Sequence, residues 1–172
     1  MKKFAERYFH QWMSGLSFGL TTAVITSLGL IIGMWSATSS KLAMISAVII
    51  TAVADGLSDS VSMHTAEEAQ MDKGRARYTE KEIWLTTIFT FLSVCGFSMT
   101  FTIPIILLPL YPAVIVSIAW GFLLMIFLNL YIAKLRKTSP IKVISEHILL
   151  TLFVIIASYL IGNVISMVIA NH

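Results

Sequence analysis

The sequence predicts an all-α membrane protein of five transmembrane helices, with the N-terminus cytoplasmic and the C-terminus outside or lumenal. Three observations predict it. Hydrophobic residues make up 57% of the 172 residues and charged residues only 12%, where a soluble domain has roughly 45–50% and about 25%. The apolar residues gather into five stretches, each near the roughly 20 residues that a helix needs to cross the hydrocarbon core. All the lysines and arginines except Lys41 then fall on one side of those stretches. This composition excludes a disordered chain, a nucleic-acid-binding domain and most cytosolic enzymes. The single cysteine, Cys95, excludes an internal disulfide and a cysteine-rich metal cluster.

The spans run over about 12–35, 42–62, 84–103, 113–132 and 148–170. They lack the alternation of a lipid-facing barrel, and in hydrocarbon every backbone amide must be paired within the protein, so they form helices. The opening MKKFAERYFH has the charge of a signal-peptide basic region. The apolar stretch after it is too long for one and ends in no convincing small-x-small cleavage site, so it counts as the first span. Lys2, Lys3 and Arg7 precede the first span, Lys73, Arg75, Arg77 and Lys81 lie between the second and third, and Lys134, Arg136, Lys137 and Lys142 between the fourth and fifth. Basic residues favour the cytoplasmic side, which sets the orientation. Trp12, Trp35 and Trp84 mark span ends, where indole rings prefer the interface. Pro104, Pro109 and Pro112 break the chain into a short outer turn. The segment HTAEEAQMDKGRAR continues the second helix into the cytoplasm before Gly74 and Tyr78-Thr79-Glu80 turn it back. Residues 1–172 form one transmembrane domain, with the linker at about 63–83.

The chemistry is concentrated in AVADGLSDSVSMHTAEE of the second span. Asp55 and Asp59 are its intramembrane carboxylates, and Asp55 lies about 20 Å along the helix from Lys41 at 1.5 Å per residue. An ionised residue at a helix centre costs about 2.5–3.5 kcal/mol, so these groups face a partner, water or an ion. Asp55, Asp59, Met63 and Glu67 follow one another at i, i+4 spacing, a slowly winding stripe about 18 Å long. Carboxylates suit hard divalent cations and a thioether favours a transition metal, so the stripe reads as ligands for Fe²⁺ or Mn²⁺. The plainer reading bonds Asp55 to a serine of a neighbouring helix and leaves Asp59, Glu67 and Glu68 solvated.

In the first span Gly15, Gly19, Ala23 and Ser27 recur every fourth residue, a small-residue stripe that lets two backbones approach closely. It suits either packing inside one bundle or a contact between first helices across a homodimer axis. Asn129 and Asn163 are expected to bond between helices, and His10, His64 and His147 to sit at the interface or in solvent. No second polar cluster stands out on the third to fifth spans. No glycine-rich phosphate loop, HExxH, nucleophile elbow or cysteine–histidine zinc spacing is present, so nothing argues for an enzyme.

SGLSFGLTTAVITSLGLIIG resembles the first helix of the vacuolar iron transporter family, opened there by a segment of the type DGLxTxFxLxAG, and ADGLSDSVSMHTAEE resembles its second helix, close to ADAISMGxGEY. The resemblance implies a five-helix homodimer exporting cytosolic Fe²⁺ or Mn²⁺ in exchange for protons. The metal is then substrate, and no resident cofactor is expected. By position Asp59 matches the family's aspartate, Met63 its methionine, Glu67 its glutamate and Asp55 an acidic position of eukaryotic members. Ser14 stands where the family has the aspartate that opens helix 1, His64 and Ala66 replace glycines, and Glu68 replaces the tyrosine. The long glutamate-rich capture domain is replaced by a short linker, so capture is expected to be weaker or to depend on the membrane site alone. The expected partners are a second copy, divalent metal ions, protons and a lipid bilayer, with no nucleic acid, in a prokaryotic plasma membrane. The alternative is a non-transporting membrane interaction or scaffold protein built on the same bundle.

Overall fold

All five apolar stretches become helices, and the third is broken in two. The computed structural model describes residues 2–70 and 78–170. Its elements are α1 (Lys2–Thr38), α2 (Lys41–Glu68), α3 (Glu80–Thr100), α4 (Thr102–Leu107), α5 (Leu110–Arg136) and α6 (Pro140–Ala170). With α3 and α4 taken together, five helical stretches among the described residues are long and apolar enough to cross a membrane. They overrun the expected boundaries mostly at the end of the bundle that holds the α2–α3 and α5–α6 connections, because periodicity in a polar flank is invisible to hydropathy. Lys73, Arg75, Arg77 and the turn expected at Gly74 lie outside the described residues.

The connections follow local chemistry. Ser39 adopts φ 50°, and Ser40 caps α2 by accepting from the Ala43 N–H at 3.3 Å. At the start of α3 the Glu82 carboxylate accepts from the Thr79 N–H at 2.7 Å and the Thr79 hydroxyl at 2.8 Å, half of a capping box. The break at Phe101 has a direct cause. Pro104 has no N–H to offer the carbonyl four residues back, Thr100, and its ring crowds that carbonyl. The prolines therefore act differently from one another: Pro104 sits inside α4, Pro109 caps α5, and Pro112 lies in the first turn of α5. At the other end of α5, Lys137 takes a left-handed φ of 52° while Thr138 N–H reaches back to the Ala133 carbonyl at 3.1 Å.

Helix α1 is the centre of the bundle and packs against α2, α3, α5 and α6. It is the most enclosed of the spans and α6 the least. Close approaches fix the directions. Gly15 lies against Thr86 and Thr90, and Gly19 against Thr90, Ser93 and Val94, so α1 and α3 run parallel. Gly29 and Gly33 meet Ser158, and Ser36 meets Gly162, so α6 runs parallel to α1 as well. Gly56 abuts Phe91 and Cys95 while His64 meets Thr87, so α2 is antiparallel to α3. Val24, Leu28, Ile31, Met44, Val48, Phe101, Ile105 and Met125 form the apolar core around α1. Lipid tails are as apolar as these side chains, so close packing and not water exclusion holds the helices together.

That arrangement corrects the reading of α1 as a dimer surface. A Cβ on Gly15 would stand 2.8 Å from the Thr86 carbonyl oxygen, and one on Gly19 would stand 2.6 Å from the Ser93 Cβ. Ala23 and Ser27 are buried too. The stripe is spent inside the protomer, mainly against α3, and is not free to receive a second copy. The inter-helix role expected of Asn129 is also corrected. Its Nδ2 donates to the Met125 carbonyl of its own helix at 2.8 Å.

Candidate functional site

The side of α2 toward its C-terminal end meets a polar seam built by α1 and α3. The buried face of α2 runs through Met44, Val48, Ala52, Gly56, Ser60 and Glu67. Asp55, Asp59 and Met63 stand beside that face and are half-buried. Asp55 and Asp59 sit one turn apart and act on each other electrostatically, and Thr22 of α1 is the hydroxyl neighbour of Asp59. The Asp59 Oδ2 is nevertheless buried without a hydrogen-bond partner among the described residues. Such an atom is costly in hydrocarbon unless it holds a proton, water or a cation.

Glu67 contradicts the solvated reading. It is 6% exposed, whereas its neighbour Glu68 is exposed. The Thr86 hydroxyl of α3 lies within hydrogen-bonding reach of the Glu67 carboxyl, with His64 and Glu82 close enough to act on it electrostatically. The Glu67 Oε2 is buried and unpartnered among the described residues. His64 is not simply solvated either. Its Nδ1 lies 3.0 Å from the Thr87 Oγ1, and its ring meets Trp84 edge-on at 4.7 Å between centroids.

The α3 wall of the seam went unread in the sequence. Glu82, Thr86 and Thr90 follow at i, i+4 spacing, with Thr87 and Ser93 alongside, and all five are buried. Thr86 and Thr87 satisfy themselves on the carbonyls of Glu82 and Ile83, at 3.2 and 2.8 Å. Such back-bonding is how a membrane helix carries hydroxyls at small cost. The Thr90 Oγ1 makes no bond of this kind, and Gln11 of α1, 4% exposed, buries its Oε1 without a partner among the described residues. The signal available in the sequence was the four-residue spacing of Glu82, Thr86 and Thr90 within an otherwise apolar span.

The predicted metal residues thus share one helix edge and one seam, but they are a row and not a cage. Among the described residues no three His, Cys, Asp or Glu side chains come together as a metal-holding group. Beside the seam, His64, Thr65, Glu68, Ala69, Glu80, Ile83 and Trp84 line an open polar cleft of about 700 Å³ at the ends of α2 and α3. No protein-family model matches this sequence, and a search of curated proteins finds no significant match. The likeness to vacuolar iron transporters therefore rests on the two short segments of α1 and α2.

Proposed function

We propose that this protein exports a divalent transition metal, Fe²⁺ or Mn²⁺, from the cytosol by proton antiport, as a homodimer with one acidic seam in each protomer. The observation that carries the proposal is the pair of α2 carboxylates, Asp59 and Glu67, each with a buried oxygen that has no hydrogen-bond partner among the described residues. An apolar span has no packing use for two such oxygens, whereas a cation path needs anionic acceptors that are not already engaged. Glu67 receives the ion next to the open cleft, Met63 and Asp59 replace part of its water, and Asp55 holds it deeper. Protons exchange with the metal at Asp55 or Asp59, so that the seam is never left with uncompensated charge.

Purified protein in lipid vesicles tests this reading. The expected result is Fe²⁺ or Mn²⁺ flux that an imposed pH gradient accelerates and that Asp59→Asn and Asp55→Asn remove. Wild-type vesicles that pass none of Fe²⁺, Mn²⁺, Co²⁺ or Zn²⁺, with or without the gradient, would overturn it.

A second reading has its own observation. Thr22 and Thr86 engage Asp59 and Glu67 from neighbouring helices, which is how a polar lock would hold a non-transporting scaffold. It predicts no flux, together with a loss of bundle stability in Asp59→Asn.

A further inference from the structure

Near its start α1 packs closely on α3 and leaves a gap toward α5. Gly15 rests on Thr86 and Thr90 of α3. Helix α5 runs antiparallel to α1, since Gly121 meets Val24 and Leu28 while Ile132, Leu135 and Arg136 stand across from Phe9, Met13 and Ser17. Ser14 and Ser17 are too short to close the space between the two helices. A crevice of about 520 Å³ results.

Its lining has two parts. Phe9, Met13, Ile132 and Leu135 make an apolar wall, and the polar groups are the Arg136 guanidinium, the His10 ring and the Ser14 and Ser17 hydroxyls, with no carboxylate. Arg136, His10 and Ser14 are exposed, and none of their side chains makes a hydrogen bond or ion pair among the described residues. Arg136 is the last residue of α5, and the half-exposed Trp12 stands beside the crevice on α1, so the mouth lies where a span meets the water–lipid boundary. A guanidinium offers a fork of donors that matches phosphate oxygens. A free anion has no use for the apolar wall and a bare acyl chain has none for Arg136, whereas a phospholipid uses both. A zwitterionic headgroup would bring its own cation beside Arg136, with no carboxylate in the lining to receive it.

We propose that the crevice between α1 and α5 binds one anionic phospholipid. Its phosphate lies on Arg136, with His10 and Ser14 as further hydrogen-bond donors, and one acyl chain runs along Met13, Ile132 and Leu135. Basic pockets between spans take anionic headgroups in this way. The lipid fills the gap that the serines leave, fastens α5 to α1, and stabilises the folded bundle by mass action. The site stands apart from the transport reading and holds whether or not the protein moves metal.

Native mass spectrometry and thermal melts of the purified full chain in detergent micelles, titrated with phosphatidylglycerol, phosphatidylcholine or inorganic phosphate, test the site. The expected result is one phosphatidylglycerol retained per chain and a raised melting temperature, with neither effect from phosphatidylcholine or phosphate. Arg136→Gln should weaken phosphatidylglycerol binding about tenfold, and Arg136→Lys, which keeps the charge and loses the fork, should fall between it and the wild type. Lys134→Gln removes the same charge from the last turn of α5 outside the lining, and should bind as the wild type does. Ser14→Phe fills the crevice while keeping Arg136, and should abolish the retained lipid. Melts without added lipid confirm that each variant is folded. Equal retention of phosphatidylglycerol and phosphatidylcholine would overturn the site, as would an Arg136→Gln protein that binds no more weakly than Lys134→Gln. Displacement of phosphatidylglycerol by inorganic phosphate at equal concentration would show a plain anion site and overturn the lipid assignment.

Discussion

Gly19→Ala measures how tightly the centre of this bundle is closed. The added Cβ would stand 2.6 Å from the Ser93 Cβ, 2.9 Å from the Thr90 carbonyl oxygen and 3.0 Å from the Val94 amide nitrogen. Two of those three atoms are backbone, so no rotamer change relieves the overlap and α1 must move away from α3. Overpacking of this kind costs about 1–3 kcal/mol. Alanine returns about 1 kcal/mol of helix propensity over glycine, which leaves a net loss of about 1 kcal/mol. Two other glycines calibrate the figure. At Gly121 the added atom meets chiefly the Leu28 side chain, at 2.6 Å from Cδ1, and a leucine end can turn aside. At Gly96 it meets nothing within 4 Å, so the propensity gain stands alone. The expected stability order is therefore Gly96→Ala, then Gly121→Ala, then Gly19→Ala, with the extremes about 2 kcal/mol apart. Reversible unfolding in mixed detergent micelles reads the order, and size-exclusion chromatography with light scattering reads the assembly state. Gly19→Ala protein as stable as Gly96→Ala would refute the reasoning. So would a Gly19→Ala change that separated two copies while leaving each protomer as stable as before, because the stripe would then be a surface between copies.

Gly162→Ala places its Cβ against the Ser36 side chain and the Gly33 carbonyl, so α6 should detach from α1 and the melting temperature should fall. Adding Ser36→Ala should restore only part of the loss, because the Gly33 backbone cannot yield. Leu28→Ala empties a fully buried position beside Gly121 and Val24. It should cost about 2 kcal/mol or more in the same unfolding assay.

The spans were legible because hydropathy over some twenty residues responds to one dominant force, the exclusion of polar backbone from hydrocarbon. Their polar ends were less so. The first turns of α6 from Pro140 and the turns of α1 before Trp12 hold too few apolar residues to register, although both are helical. The α2 stripe was legible as spacing, but spacing does not say which neighbour a face meets. Glu67 read as solvated by itself because the groups that meet it from another helix, Thr86 and Glu82, belong to α3. The small-residue stripe of α1 was visible too, and its partner was not. Gly15 and Gly19 meet α3 of the same chain, a pairing decided by how five helices share one perimeter. Thr86 escaped notice because a threonine in an apolar run costs little when its hydroxyl bonds its own helix, so the residue looks neutral until a carboxylate packs beside it.

The burial of α1 also constrains where ions can pass in the proposed transporter. A route at a two-fold axis lined by first helices needs a face of α1 that the protomer leaves open. Here α2, α3, α5 and α6 all pack against it, and at Gly15 and Gly19 the approach of α3 leaves less than a methyl group of space, so what stays open is the stretch around Trp12, Ser14 and Phe18. The unpartnered carboxylate oxygens, by contrast, lie where α2 meets α1 and α3. The polar lane thus belongs to one chain. Its threonines supply hydroxyls without unpaired backbone, and its carboxylates supply charge. A pathway built this way works once per protomer, and damage to one copy would leave its neighbour's lane intact, whereas a shared axial path would fail with either copy. In the proposed homodimer, assembly would then hold two complete lanes in the membrane and would not create the lane.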